Sequence, residues 1–127
     1  MGSDHEGWAR VMRRGEIYSV DLEPVRGSEA NKRRPAVIVS NDAANATAGR
    51  LGRGVITVLP VTSSIERVYP FQVLLPAAAT GLERDSKAQA EQVRSIAVDR
   101  LGERLGVVPG AIMLAIDEAL RLHLDLS

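Results

Sequence analysis

Several residues that can bind a phosphate group lie in one short polar segment near the start of the chain. The segment joins two strand-like runs, and its polar side chains are Ser28, Glu29, Lys32, Arg33 and Arg34. An arginine can hold two phosphate oxygens at once through its planar guanidinium group. Pro35 follows Arg34 and restricts the backbone there. Because surface loops often carry binding groups, we interpret this segment as a phosphate-binding site.

Other reaction classes have little support. The chain has no cysteine, and its two histidines are His5 and His123, so a thiolate site is excluded and a paired-histidine nuclease is not expected. No H-E-x-x-H, G-x-x-x-x-G-K-[ST] or G-x-S-x-G pattern occurs. The acidic residues are dispersed among basic ones, so we expect no bound metal and no cofactor.

RNA is a substrate that suits the remaining groups, because it carries its own nucleophile, the 2′-OH. A protein that cleaves RNA must orient the scissile phosphate, remove the 2′ proton and stabilise charge on the phosphoryl oxygens. That reaction does not require a metal. Arg34 is the first candidate for binding the phosphate.

The rest of the chain supplies elements that position these groups. Alternating or β-branched apolar runs predict five strands, over residues 15–22, 35–40, 54–61, 69–75 and 86–98. The composition of residues 42–53 predicts a mobile loop or a short helix, and that of residues 76–81 predicts a turn. Residues 99–105 predict a short helical piece that ends at Gly106. Pro109 suits the first position of a final helix. Its apolar stripe comprises Ile112, Ile116, Ala119, Leu120 and His123.

Length and charge set further limits. The 127 residues predict one domain, and 16 basic and 16 acidic residues give a net charge of zero. Any contact with RNA must therefore come from locally concentrated positive charge, which residues 10–34 provide. No run of 18 apolar residues occurs, so we expect no membrane span and a cytoplasmic location. Residues 1–12 predict a disordered tail, either vector-derived or from an upstream start codon, and residues 13–127 the domain.

Seven separated motifs resemble the MazF/PemK family of toxin endoribonucleases, in that family's order, over roughly residues 13–126. They are R-G-E-I-Y-x-V-D-L-x-P, G-S-E-x-x-K-x-R-P, V-I-V-S-N-D, V-I-T-V-L-P-V-T-S, R-D-S, E-Q-V-R-S-I and I-D-E-A-L. The resemblance implies a mainly β fold with a terminal helix, namely a small SH3-like antiparallel β-barrel. It also implies a metal-independent endoribonuclease that cuts single-stranded RNA and leaves 2′,3′-cyclic phosphate and 5′-OH ends. A homodimer and a MazE-like antitoxin are the implied partners.

The resemblance also implies roles for individual residues. The catalytic arginine is Arg34, and Thr62 corresponds to the family's threonine or serine that contacts the scissile phosphate. Without the resemblance, Thr62 is equally well a turn residue. Glu29, with Glu91 behind it, is the candidate for proton transfer. The predicted RNA-binding residues are Ser28, Lys32, Arg33, Ser63, Gln89, Glu91, Gln92 and Arg94.

The chain departs from the family pattern at two places: at Ser28, where some relatives have histidine, and at Gln89. Some relatives have an arginine at the position of Gln89, and in them this arginine resembles a general acid in its role. The amide of Gln89 cannot donate a proton usefully, so it cannot take that role. Arg34 itself, a polarised water or no dedicated acid are the alternatives. Gln89, Gln92 and Arg94 could instead read the base edges of unpaired RNA.

Two other function classes compete with an endoribonuclease. A CcdB-like gyrase poison shares the barrel and acts by binding a protein, but Arg34 and Thr62 argue against it, as does the C-terminus H-L-D-L-S. A plain SH3-like binding module would need an exposed aromatic groove, and aromatic residues make up only 3% of the chain.

Overall fold

The computed structural model describes residues 11–22 and 33–127. These residues form seven strands, three α-helices and two short 3-10 helices, which we label η. In chain order they are β1 (Glu16–Asp21), β2 (Arg33–Ile38), α1 (Asp42–Leu51), β3 (Val55–Thr62), β4 (Gln72–Leu75), α2 (Ala77–Thr80), β5 (Ser86–Gln89), η1 (Ala90–Gln92), β6 (Arg94–Ala97), η2 (Val98–Arg100), β7 (Leu101–Val107) and α3 (Gly110–Leu124).

The strand pairs among these residues are antiparallel, in the order β4-β5-β3-β2-β1-β7, and β6 also pairs with β3. Strand β3 is the centre of the sheet. One of its edges pairs with β2, while the other pairs with β6 over its first four residues and with β5 over its last two. This arrangement and the C-terminal helix confirm the predicted mainly β fold.

Both faces of the sheet are buried. Because successive side chains of a strand point to opposite faces, alternate residues of a strand contribute to two different cores. The α1-side core comprises Met12, Tyr18, Val20, Leu22, Ala36, Ile38, Ala48, Ile56, Val58, Ile96, Val98 and Leu101. The α3-side core comprises Ile17, Val37, Leu59, Val61, Leu75, Ala88, Ala90, Val108, Met113, Ile116 and Ala119. A slip of one residue in the pairing of a strand would exchange its contributions to the two cores, so the register is strongly specified.

The final helix packs nearly as predicted. Pro109 is its N-cap residue rather than its first residue, and Met113, Ile116 and Ala119 are buried. His123 is exposed, so it does not pack into this core. Within the described residues, we find no helix whose length and apolar character would let it cross a membrane.

The helical prediction for residues 99–105 was wrong over most of its length, because this segment forms strand β7. Val20 of β1 pairs with Leu101, and Tyr18 pairs with Arg104. Pairing with β1 and burial of Leu101 outweigh the helix-favouring glutamate and arginine of this segment, as tertiary contacts commonly outweigh local propensity. Only its first residues form the short helix η2.

Several boundaries also differ from the predictions. Strand β2 spans Arg33–Ile38 rather than residues 35–40, so Arg33 and Arg34 lie in this strand and not in the segment before it. Residues 86–98 form two strands rather than one, because η1 turns the chain between them, with Val93 N donating to Ala90 O at 3.1 Å. Strand β4 begins at Gln72, later than predicted. The predicted turn over residues 76–81 contains the short helix α2. Residues 1–10 of the predicted tail lie outside the described residues, whereas Met12 is buried in the α1-side core.

Helix α1 confirms the helical alternative for residues 42–53. The side chain of Asn41 accepts a hydrogen bond from Ala44 N at 2.8 Å and caps the helix. Asp42 Oδ1 accepts from the backbone N–H of Arg14 at 2.7 Å, which ties the helix to the segment before β1. This hydrogen bond is the main reason that the pKa of Asp42 is lowered from its usual value of 3.8.

We expect Asp42→Asn to remove a stabilisation that depends on pH. Because the folded-state pKa of Asp42 is lowered, its contribution is present above the unfolded pKa and is lost as pH falls through the folded pKa. Thermal unfolding of parent and variant should therefore differ most near neutral pH and converge below about pH 4. Asp99→Asn, which removes an exposed carboxylate, controls for the change in net charge. A difference in unfolding temperature that stays constant down to low pH would contradict this account.

Candidate functional site

The strand register places Arg34 and Thr62 side by side, although they are far apart in sequence. Strands β2 and β3 pair Ile38 with Val58 and Ala36 with Pro60, and the same register continued by two residues places Arg34 opposite Thr62. Directly opposite residues of antiparallel strands share a face and have Cβ atoms about 4.5–5.5 Å apart. The structure therefore brings together the two described residues to which the sequence assigned catalysis.

An open cleft with a volume of about 670 Å³ lies where β2 begins and β3 ends. Four residues selected from the sequence line it, namely Arg33, Arg34, Thr62 and Ser63. Pro35 of β2 and Val61 of β3 also line it, and the remaining lining residues come from β1, β7 and the segment from Gly81 to Ser86. The volume is in the range that binding clefts for small molecules usually have.

The charged lining of this cleft is mainly basic. Its charged residues are Arg33, Arg34, Arg84, Arg104, Glu83 and Glu103. Arg104 Nε lies 3.2 Å from Glu16 Oε2, whereas the other three arginines have no carboxylate of the described residues within 4.0 Å. Guanidinium groups without a carboxylate partner beside an open cleft suit a polyanionic ligand.

Arg33 and Arg34 belong to opposite faces of the sheet. Arg34 alternates with the α1-side core residues Ala36 and Ile38, whereas Arg33 is in phase with Val37 of the α3-side core. The guanidinium of Arg33 approaches β7, where its Nη1 lies 2.8 Å from the position that a Cβ on Gly102 would take. The cleft at the end of the sheet is therefore lined by arginines of both faces.

Four predicted RNA-binding residues, Gln89, Glu91, Gln92 and Arg94, do not line this cleft. Glu91 Oε2 accepts from Gln72 Nε2 at 2.8 Å, and its Oε1 is buried without a hydrogen-bond partner among the described residues. Gln92 and Arg94 are exposed. Arg94 pairs with Val58, four residues before Thr62, which is roughly 13 Å along β3. The RNA-binding roles of these four residues stay predictions.

Three further predicted residues, Ser28, Glu29 and Lys32, lie outside the described residues. Their roles also stay predictions. The proton-transfer role assigned to Glu29 therefore rests on its position in the G-S-E motif alone.

The structure reveals site residues that sequence reasoning missed. Arg104 and Glu103 reach the cleft because β7 is a strand, and the helical prediction for this segment concealed them. Three residues of the loop after Thr62 also contact one another, although they do not line the cleft. The rings of Tyr69 and Phe71 stack with centroids 5.4 Å apart, and the guanidinium carbon of Arg67 lies 5.7 Å from the centre of the Tyr69 ring. The sequence shows only that these residues are close neighbours, because the stacking depends on the path of the loop.

Comparison with known proteins agrees with this fold. Residues 13–124 match the family described as PemK-like, MazF-like toxin of type II toxin-antitoxin system. The chain is 69% identical over 116 residues to endoribonuclease MazF9 of Mycobacterium tuberculosis, which covers 91% of this chain and 98% of that protein. It is 35% identical over 117 residues to endoribonuclease EndoA of Bacillus subtilis, covering 91% and 97% of the two proteins.

Solved structures give the same result. An endoribonuclease in complex with its cognate antitoxin from a mycobacterial species has a TM-score of 0.71 at 26% identity, over 91% of this chain and 97% of that one. A MazE–MazF structure from Deinococcus radiodurans has a TM-score of 0.71 at 27% identity, over 93% and 99%. The gyrase-poison alternative is not favoured by these matches. The chain belongs to the family of PemK-like, MazF-like toxins of type II toxin–antitoxin systems.

Proposed function

We propose that this toxin is a metal-independent, sequence-selective endoribonuclease that cleaves single-stranded RNA at the Arg34–Thr62 site. The class of activity follows that of its relatives, which are endoribonucleases. The matches to these relatives cover about nine-tenths of this chain. The observation that carries the proposal is the register of β2 and β3, which brings a guanidinium and a hydroxyl to one face beside an open basic cleft. Both groups can bind phosphoryl oxygens.

In the proposed reaction the 2′-OH of the RNA attacks the adjacent phosphorus. The bond from phosphorus to the 5′ oxygen breaks, which leaves a 2′,3′-cyclic phosphate and a 5′-OH end. The guanidinium of Arg34 holds two phosphoryl oxygens as negative charge accumulates on them. Thr62 Oγ1 accepts from Ser64 N at 3.2 Å, so the hydroxyl proton of Thr62 is free to be donated to a phosphoryl oxygen.

The proton transfers need a base for the 2′-OH and a source of a proton for the 5′ oxygen. We assign the base to Glu29, because the contact of Glu91 with Gln72 directs that carboxylate to β4 rather than to the cleft. Gln89 cannot act as an acid. The proton for the 5′ oxygen comes from Arg34, from a polarised water, or from solvent without a dedicated acid.

The partners follow from the family. We propose that the toxin acts in the cytoplasm as a homodimer, arrests growth by cleaving RNA, and is neutralised by a MazE-like antitoxin. Solved relatives include MazE–MazF complexes. The residues that we propose the second copy covers are the large apolar side chains exposed on and after α3. They are Leu114, Leu122, Leu124 and Leu126.

Cleavage of a long single-stranded RNA should persist in excess EDTA, because the proposed groups are side chains and the nucleophile belongs to the RNA. The products should carry 2′,3′-cyclic phosphate and 5′-OH ends, identified by end-labelling and mass spectrometry. A substrate with 2′-deoxyribose at the cut nucleotide should not be cleaved. Strict dependence on Mg²⁺, or products with 5′-phosphate ends, would contradict the mechanism.

Arg34→Ala should lower the single-turnover cleavage rate by about 10²–10³, because one preorganised donor to the developing charge is removed. Arg34→Lys should restore the rate only in part, since an ammonium cannot replace the two-oxygen fork. Affinity is measured with the uncleavable 2′-deoxy substrate and should change far less than the rate.

Arg33→Ala is the matched control, because it removes the same charge from the neighbouring residue on the other face. It should weaken RNA binding and reduce the slope of log affinity against log salt concentration by about 0.7 per lost phosphate contact. The rate at which bound RNA is cleaved should change little. If Arg33→Ala abolishes turnover and Arg34→Ala does not, the two roles have been assigned wrongly.

A further inference from the structure

Lys87 continues the cross-strand row that contains Arg34 and Thr62. Strands β3 and β5 pair Thr62 directly with Lys87. Neighbouring positions alternate as expected, because Val61 and its partner Ala88 both lie in the α3-side core. Arg34, Thr62 and Lys87 therefore occupy adjacent strands on the same face, and Thr62 lies between two cationic side chains.

The surroundings of Lys87 compensate its charge only in part. The residue is only 8% exposed. Its Nζ donates to Arg67 O at 2.6 Å and lies 6.0 Å from the centre of the Tyr69 ring. In residues 11–22 and 33–127 no carboxylate lies within 4.0 Å of it. A carbonyl and a ring face offset part of the cost of burying an ammonium, but an anion is the partner that this position lacks.

Lys87 does not itself line the cleft, so its route to an anion there is through its cross-strand partner Thr62, which does line it. The loop from Ser63 to Phe71 starts immediately after Thr62, and Arg67 of this loop accepts only one of the three hydrogen bonds that the ammonium can donate. Gln89, two residues further on the same face of β5, has no charge to offer. Lys87 is therefore the residue of β5 that brings a positive charge directly opposite Thr62.

We propose that Lys87 is a further catalytic residue, whose ammonium binds a non-bridging oxygen of the scissile phosphate on the side of Thr62 opposite Arg34. The inference rests on the proposed ribonuclease function. Lys87 supplies charge stabilisation from β5 where the amide of Gln89 cannot. It makes no covalent bond, and the 2′-OH remains the nucleophile.

A structural role, anchoring the loop through Arg67 O, is the competing explanation, and Lys87→Gln separates the two. Glutamine keeps an N–H donor for Arg67 O but removes the charge. Single-turnover cleavage in EDTA should fall by about 10- to 100-fold, as expected for loss of a charge-assisted hydrogen bond. Lys87→Arg, which keeps the charge, should retain more activity than Lys87→Gln. Arg53→Gln, an equal charge change before the other end of β3, should cleave at the parent rate.

Sulfur substitution at the scissile phosphate tests the contact itself. Replacing the non-bridging oxygen that Lys87 binds with sulfur should slow cleavage by the parent. The same replacement should slow cleavage by Lys87→Gln less, because the contact is already absent in that variant. A disturbed loop would lower the rates of both substrates equally. The unfolding temperature of Lys87→Gln should equal or exceed that of the parent, since a buried charge that is only partly compensated is removed.

Three results would overturn the inference while leaving the proposed function intact. They are a parent-like rate for Lys87→Gln, a sulfur effect of the same size in both proteins, and a marked drop in the unfolding temperature of Lys87→Gln, which would show that Lys87 serves the fold. A parent chain that does not cleave RNA in EDTA would instead contradict the proposed function, and the inference with it.

Discussion

The antiparallel register of β1, β2 and β3 is the constraint on which the rest of this structure depends. Both faces of these strands are buried, one against α1 and the other against α3, so each residue is committed to one face. A shift of one strand by one residue would exchange its contributions to the two cores. The same register that fills the two cores also sets Arg34 opposite Thr62. The proposed catalytic pair is thus held by the core of a small domain rather than by a loop.

This arrangement places two neighbouring arginines on opposite faces of the sheet. Arg34 extends the strand positions of the α1-side core and faces the row that contains Thr62, whereas Arg33 is in phase with the α3-side core and approaches β7. In the proposed reaction, two consecutive residues of one strand therefore have different roles, Arg34 in the chemistry and Arg33 in holding the RNA. Because the charge of the whole chain is zero, this local placement is the source of attraction for a polyanion.

Sequence reasoning reached the fold class, the family and the Arg34–Thr62 pair, because strand alternation and ordered motifs are visible in one dimension. It failed where long-range pairing decides the outcome. Residues 99–105 look helical by propensity, yet pairing with β1 makes most of them strand β7 and carries Arg104 into the cleft. Glu91 belongs to a family motif, but its contact with Gln72 depends on the turn at η1. The surroundings of Lys87 likewise depend on the path of a loop that no local pattern reveals.

The central claim is that Arg34 and Thr62 act on the same phosphate, and a double-mutant cycle on single-turnover cleavage tests it most directly. Arg34→Ala, Thr62→Ala and the double variant are compared on one RNA in excess EDTA, with folding checked by circular dichroism. Residues that act as a unit show strongly non-additive effects, so the account predicts that the double variant is little slower than Arg34→Ala alone. Rate losses that multiply, as for two independent sites, would contradict the account.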